Sequence, residues 1–296
     1  MIKTISLLPG VVLRCMQDRR FKQGCLSIQL LRPMCREESA LNAILPAVLM
    51  RGCRQYPDLR AITRRLDDLY GASVSAMVRR VGDIQTVGFY CGFMEDRFAL
   101  EGDAILAPMV DLARQLLLDP VTEGEAFRQD YVESEKRNLI SAIESELNDK
   151  RAYAEGKLLR AMCREDSFGV PRLGNAEQVA ALDEKGLYSH YRKILAESPV
   201  ELFYVGSAEP ETVAQLLQRL ELPVHQEDAI SSPLTAETYE GMKLTVGQIL
   251  RQNQTYTTAL PHETIRCMDA SLREGTQKVL TAGTDGQVLC QAEVTY

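Results

Sequence analysis

Blocks of strand-like sequence followed by blocks of helix-like sequence predict an α+β fold, in which helices pack on one face of a mainly antiparallel sheet. Two patterns carry this expectation. Apolar residues alternate in two runs near the N-terminus, again between residues 74 and 90, and close as a buried run near residue 200, while i, i+3, i+4 spacing with recognisable caps fills the intervals. The third observation is size. A chain of 296 residues, 45% hydrophobic and 25% charged, can bury a substantial core without disulfide or metal staples.

The N-terminal run Met1 to Cys15 imitates a short signal peptide ahead of a lipidated cysteine. Its apolar stretch is broken by Pro9-Gly10 and stops at Arg14, where cleavage needs a small residue, so an opening strand is expected. Val11-Val12-Leu13 and Cys25 to Leu31 read as strands around the basic turn Arg19 to Gly24. From Glu37 the period changes: Leu41, Ile44, Leu45, Val48 and Leu49 form the buried face of a helix that Pro46 should bend, because proline removes one backbone donor. A second helix runs from its cap Asp58 to the C-terminal glycine Gly71. Val74-Ala76-Val78 and Ile84-Thr86-Gly88-Tyr90 read as a hairpin joined by Arg79 to Asp83. Further helices are expected over 103–118, 123–146, from the cap pair Asn148-Asp149 to Cys163, and over 186–195, with a buried strand over 199–206.

Residues 1–222 therefore read as one complete lobe, 223–241 as a polar linker, and 242–296 as the short, truncated or loosely packed remainder of a second lobe. Fifty-odd residues lie near the lower limit for an independent core, about 40 to 60 residues.

Charge and cysteine content exclude several functions. The net charge of −7 repels phosphate backbones and anionic headgroups, so neither nucleic acid nor membrane is an expected partner. The eight cysteines are irregularly spaced, with no C-x-x-C pair, and are expected to be reduced thiols in a cytoplasmic protein. Dinucleotide, P-loop and nucleophile-elbow motifs are absent.

Only three histidines occur, His190, His225 and His262. His262-Glu263-Thr264-Ile265-Arg266 comes near H-E-x-x-H, but an arginine stands where the second imidazole is needed, and a guanidinium cannot ligate a cation. His190 reads as a satisfied structural histidine and His225 as solvated. Glu133, Glu135, Glu144 and Glu146 are expected to pair along their own helix with Lys136, Arg137, Lys150 and Arg151. Arg51, Arg54, Arg60, Arg64 and Arg65 read as a solvated basic face, with grip on an acidic partner as the alternative.

One string carries a family resemblance. Leu41 to Cys53, followed by Tyr56-Pro57 and Leu66-Asp67-Asp68-Leu69-Tyr70-Gly71-Ala72, resembles the first helical region of the insulinase/pitrilysin zinc peptidases, which include the mitochondrial processing peptidases. The resemblance implies a LuxS/processing-peptidase-like lobe. Aligned on Arg51-Gly52-Cys53, the H-x-x-E-H motif of that family places its first ligand histidine at Ala43, its general base at Pro46 and its second histidine at Ala47. The third ligand, a glutamate, falls near Ala142.

Arg19 to Lys22, Ile140 to Glu144, Asn148 to Ala154, Asp166 to Gly169, Leu173-Gly174 and Leu187 to Tyr191 are similar to a bacterial branch associated with modification of elongation factor P, encoded beside a zinc-bearing paralogue. The similarity runs from Ile5 to Leu217. It implies a catalytically inactive homologue with no catalytic, metal or cofactor residues. Such a chain would be the partner subunit of a zinc-bearing insulinase-family paralogue, acting in peptide processing or elongation factor P modification. An active zinc endopeptidase with an unrecognised ligand set and a stand-alone module for extended peptides remain as alternatives.

Overall fold

The computed structural model describes residues 2–164 and 166–222, together with the backbone of 280–282 and 288–290. The chain divides into two compact units, Met1–Ser232 and Pro233–Tyr296. In the second unit two short strands, β7 (Leu280–Ala282) and β8 (Val288–Cys290), pair antiparallel. His225 and His262 lie outside the described residues.

The first unit is α+β. Six strands, β1 (Ile2–Leu8), β2 (Val11–Gln17), β3 (Gln23–Pro33), β4 (Ser73–Val81), β5 (Ile84–Met94) and β6 (Val200–Gly206), form one sheet in the order β1-β2-β6-β3-β5-β4. Only β2 and β6 run parallel; the other four pairs are antiparallel. Strand alternation sorts the side chains. Val11, Leu13 and Cys15 of β2, Leu26, Ile28 and Leu30 of β3, Val87, Phe89, Cys91 and Phe93 of β5, and Val200, Leu202 and Tyr204 of β6 share the buried face. Tyr90 and Phe203 on the opposite face stay exposed.

The buried face is covered by α1 (Ser39–Leu49), α3 (Leu106–Leu118), α7 (Glu184–Glu197) and α8 (Pro210–Gln218), whose apolar stripes join the same core. The smaller α2 (Leu59–Asp68) starts at the expected cap: Asp58 Oδ1 accepts from the Ala61 amide at 2.8 Å, and Gly71 follows its end at φ +73°. Outside this layer stand α4 (Gln129–Ser145), α5 (Lys150–Met162) and the short α6 (Ala176–Ala180). Asp149 caps α5 as expected, accepting from the Arg151 and Ala152 amides.

Three of the boundaries that differ from the sequence reading have a clear local reason. Helix α3 begins at Leu106 rather than residue 103, because Asp96 Oδ1 accepts from the Ile105 and Leu106 amides and fixes the start there. Helix α4 begins at Gln129 rather than residue 123, because Gly124 turns at φ +67° and Thr122 bridges Phe127. The arginines between β4 and β5 are strand, not turn: Val81 pairs with Ile84, and only Gly82 and Asp83 lie between them.

Gly88 is required by close packing within the sheet. A Cβ there would lie 1.9 Å from the Ile28 carbonyl oxygen, and backbone cannot yield as a side chain tip would. Gly88→Ala is expected to destabilise the lobe by about 2–4 kcal/mol, read as a lower urea midpoint at unchanged slope.

Candidate functional site

Helix α1 holds the segment that carries the family resemblance, and its surroundings decide what that segment can do. Ser39, Ala40, Asn42, Ala43, Ile44, Leu45, Pro46, Val48 and Leu49 are all buried. Pro46 lies inside a single continuous helical span, and its carbonyl still accepts from the Met50 amide at 3.1 Å. The bend expected from the proline therefore does not interrupt the helix.

A chain of neutral hydrogen bonds crosses this helix. His190 Nε2 lies 2.7 Å from Asn42 Oδ1, an atom that can only accept, so Nε2 carries the proton. Asn42 Nδ2 donates to Gln85 Oε1 at 2.9 Å, and Gln85 Nε2 donates to the carbonyls of Ser39 at 3.2 Å and Arg172 at 2.7 Å. All three side chains are buried. Around His190 stand Glu38, Arg32, Lys193 and Glu197. Glu38 accepts from Lys193 Nζ at 2.7 Å and from Arg32 Nη2 at 2.8 Å, and Arg32 Nη1 reaches Glu197 at 3.2 Å. Burial pushes the His190 imidazole down to about 4, against the opposing pull of Glu38. Burial works against the charge on Glu38 as well, yet Lys193 and Arg32 hold its carboxyl below the usual range.

The positions that the resemblance assigns to zinc offer nothing to bind it. Ala43 and Pro46 are buried, Ala47 is half-buried, and Ala142, near the end of α4, is exposed. Alanine has no lone pair for a metal and proline cannot accept the proton of a metal-bound water. Among the described residues no three His, Cys, Asp or Glu side chains converge. These residues do not fit the zinc of the family.

The remaining sequence candidates separate. Arg51 does not join a basic face; it turns inward to Glu135 and Ser134 of α4 and lies over Tyr131. Glu135 is thus shared between Arg51, just beyond the end of α1, and Asn138 of its own helix, which donates to it at 3.1 Å. Glu133 pairs with Lys136 at 2.7 Å, as expected of a helical neighbour. Arg60 and Arg64 are exposed on α2, where they form no ion pair among the described residues. His190 is a satisfied structural histidine. The six described cysteines, Cys15, Cys25, Cys35, Cys53, Cys91 and Cys163, are free thiols, and burial raises Cys15 to about 11 and Cys91 to about 12.

The sheet ends in two terminal strands, β1 and β4, and residue spacing alone does not single out which one would offer an exposed edge to an extended peptide. β4 is the last strand, and in an antiparallel ladder alternate residues turn their backbone groups outward. Val81 pairs across the turn with Ile84, so Val74, Ala76 and Val78 face away from β5. The Val78 carbonyl is capped by Arg172 Nη1 at 2.7 Å; the groups of Val74 and Ala76 have no partner among the described residues. The buried face of α1 follows from the spacing of its apolar residues, whereas the position of β4 at the end of the sheet is a tertiary fact that spacing does not carry.

Comparison with known proteins agrees with this geometry. A G5 domain family model matches residues 251–296, the stretch that contains His262. The probable inactive metalloprotease YmfF of Bacillus subtilis (strain 168) is 27% identical over 210 residues, covering 71% of this chain and 49% of that protein. A conserved protein from Enterococcus faecalis V583 superposes with a TM-score of 0.74 at 23% identity, over 78% of this chain and 54% of that one. An inactive M16 peptidase domain from Pseudomonas fluorescens superposes with a TM-score of 0.60 at 14% identity, over 77% and 52% of the two chains. The chain thus spans about half the length of the relatives it matches.

The depressed His190 has a measurable consequence. Its folded value lies below that of an unfolded histidine, about 6.5, so the neutral form is favoured in the native state and its contribution is complete above about pH 6.5. As pH falls from about 6.5 toward 4, the lobe is expected to lose on the order of 3 kcal/mol through this group, seen in urea titrations at successive pH values. His190→Gln should flatten that dependence. Arg51→Met, which strands the largely buried Glu135 carboxylate, is expected to cost about 2–4 kcal/mol near neutral pH by the same measurement.

Proposed function

We propose, on the premise that the chain is an inactive homologue of the insulinase (M16) peptidase family, that its first lobe is a non-catalytic subunit acting through a zinc-bearing relative. The observation that carries this reading is the donor-free helix α1, with Ala43, Pro46 and Ala47 at the positions the motif needs for two ligands and a base. A lobe that keeps a peptidase fold without ligand or base retains the other uses of that fold, which are to hold an extended chain and to pair with a second lobe. Relatives about twice as long as the matched region support the second of these. In finer terms, the partner is a zinc-bearing paralogue, the assembly is a cytoplasmic heterodimer, and its work is peptide processing or the modification of elongation factor P. These finer terms rest on the resemblance of Arg19 to Lys22, Asn148 to Ala154 and Leu187 to Tyr191 to that branch.

A second reading, capture of an extended peptide by strand addition, is favoured by the unpaired outward groups of Val74 and Ala76 on β4. No described helix is long and apolar enough to cross a membrane.

Metal analysis and co-purification test the two readings. The purified chain is expected to hold no stoichiometric zinc and to leave peptides uncut, whereas the zinc-bearing relative should form an equimolar complex with it. Stoichiometric zinc together with hydrolysis by the isolated chain would overturn the non-catalytic reading. A lone monomer that binds extended peptides and ignores the relative would favour strand addition.

A further inference from the structure

Three loops meet at one end of the sheet: the β2–β3 turn over residues 18–22, the segment over 95–103 that follows β5, and the loop over 207–209 ahead of α8. Glu95 ties them together. Its amide donates to the Lys22 carbonyl at 3.0 Å, and its buried carboxylate accepts through Oε2 from the Ser207 amide at 2.9 Å and from the Ser207 hydroxyl. A Cβ at Gly24 or Gly206 would overlap Glu95 Oε1, so both glycines leave the space that the carboxylate fills. The Asp18 amide donates to the Gly206 carbonyl at 2.7 Å, and Arg97 Nη2 donates to the carbonyls of Phe21, at 3.1 Å, and of Arg19.

Large apolar side chains stand exposed on this braced rim. Phe21 is 48%, Phe98 37% and Leu100 89% exposed. Lys22 Nζ lies 5.9 Å and Arg97 Cζ 4.6 Å from the centre of the Phe98 ring, and Arg20 Cζ lies 5.7 Å from that of Phe21. The cations divide into paired and unpaired. Arg20 is held by Asp18 at 2.6 Å and Arg19 by Glu209 at 3.3 Å. Lys22 and Arg97 have no ion pair among the described residues; the carbonyls that Arg97 caps satisfy one nitrogen without neutralising its charge, and its Nε and Nη1 are left without a partner there. Asp96, beside Arg97 in the chain, turns its Oδ1 to the Ile105 and Leu106 amides.

We propose that this rim is a docking surface for a segment of another protein that carries a carboxylate beside an aromatic side chain, with Phe98 as the apolar anchor and Lys22 and Arg97 as the charged grips. The surface is built from elements other than α1 and β4 and does not depend on either reading above. Exposed phenylalanine beside arginine is characteristic of protein interfaces, and loops already braced by Glu95 lose little freedom on binding. A guanidinium with free nitrogens offers a carboxylate a charge-assisted pair, while the Phe98 ring offers an aromatic side chain an edge or face to pack on. A phosphate polymer or an anionic membrane fits less well. Asp18, Glu95, Asp96, Glu101, Asp103 and Glu209 stand in the same three loops and outnumber Arg19, Arg20, Lys22 and Arg97, so a continuous sheet or string of negative charge is repelled where a single carboxylate is not.

A phage-displayed library of short random peptides, selected on the full chain, tests the inference. Peptides with Asp or Glu next to Phe, Tyr or Trp are expected to be enriched, and the strongest of them, synthesised with a fluorescent label, should bind with an affinity that falls as salt rises. Phe98→Ala is expected to weaken that peptide about tenfold by fluorescence anisotropy. The double variant Lys22→Gln with Arg97→Gln should bring it level with its own amide analogue, in which Asn or Gln replaces each acid. Glutamine at position 97 keeps an amide donor for the turn carbonyls, and a thermal melt on each variant confirms that it is folded. Selection without acidic–aromatic enrichment, or enriched peptides whose binding survives both variants, would overturn the inference. Two further outcomes also sink it: sedimentation with phosphatidylserine vesicles that Phe98→Ala abolishes assigns the rim to a membrane, and a dimer in analytical ultracentrifugation that Phe98→Ala dissociates assigns it to a second copy of the chain.

Discussion

The hydrogen-bond chain from His190 through Asn42 to Gln85 fixes the middle of the lobe. It joins helix α1 to strand β5 and helix α7 through neutral groups, and ends on the carbonyls of Ser39 and Arg172. Buried amides and an uncharged imidazole are tolerable only when their polar atoms are paired, so this chain holds α1 in one orientation over the sheet. The surrounding apolar residues supply the greater part of the burial energy but little directional preference. The polar chain supplies the direction.

That constraint bears on chemistry as well as stability. Helix α1 is the element on which an insulinase-type site would be built, and here it is occupied with structural tasks on every side. Asn42 is committed to two partners, Arg51 near its end is tied to Glu135 of α4, and Ala43, Pro46 and Ala47 bring no donor atoms. Packing roles and side chains without donor atoms thus occupy the same few turns of helix. Among the described residues the outward groups of Val74 and Ala76 on β4 are left without hydrogen-bond partners.

Much of this was legible in the residues themselves. The strands β3 and β5, the caps Asp58 and Asp149 and the buried stripe of α1 follow from periodicity and capping chemistry that act over a few residues. Ala43, Pro46 and Ala47 lie within α1, and neither alanine nor proline can imitate histidine or glutamate. What escaped was set by partners distant in sequence. The parallel pairing of β2 with β6 joins segments nearly 190 residues apart. Arg51 turns inward because Glu135 awaits it on another helix, not because of its neighbours in the chain. Arg79 and Arg80 read as turn residues until the register of the hairpin shows them to be strand.

Pro46 also constrains what this helix can accept in its place. A glutamate there would return a backbone amide to the helix, yet it would place a carboxylate among buried apolar neighbours, a penalty of several kcal/mol. A histidine in place of the buried Ala43 would force a larger polar ring into the same packed layer. Each such replacement costs stability when made alone, so this stretch of α1 is settled by its packing as much as by the chemistry of its side chains.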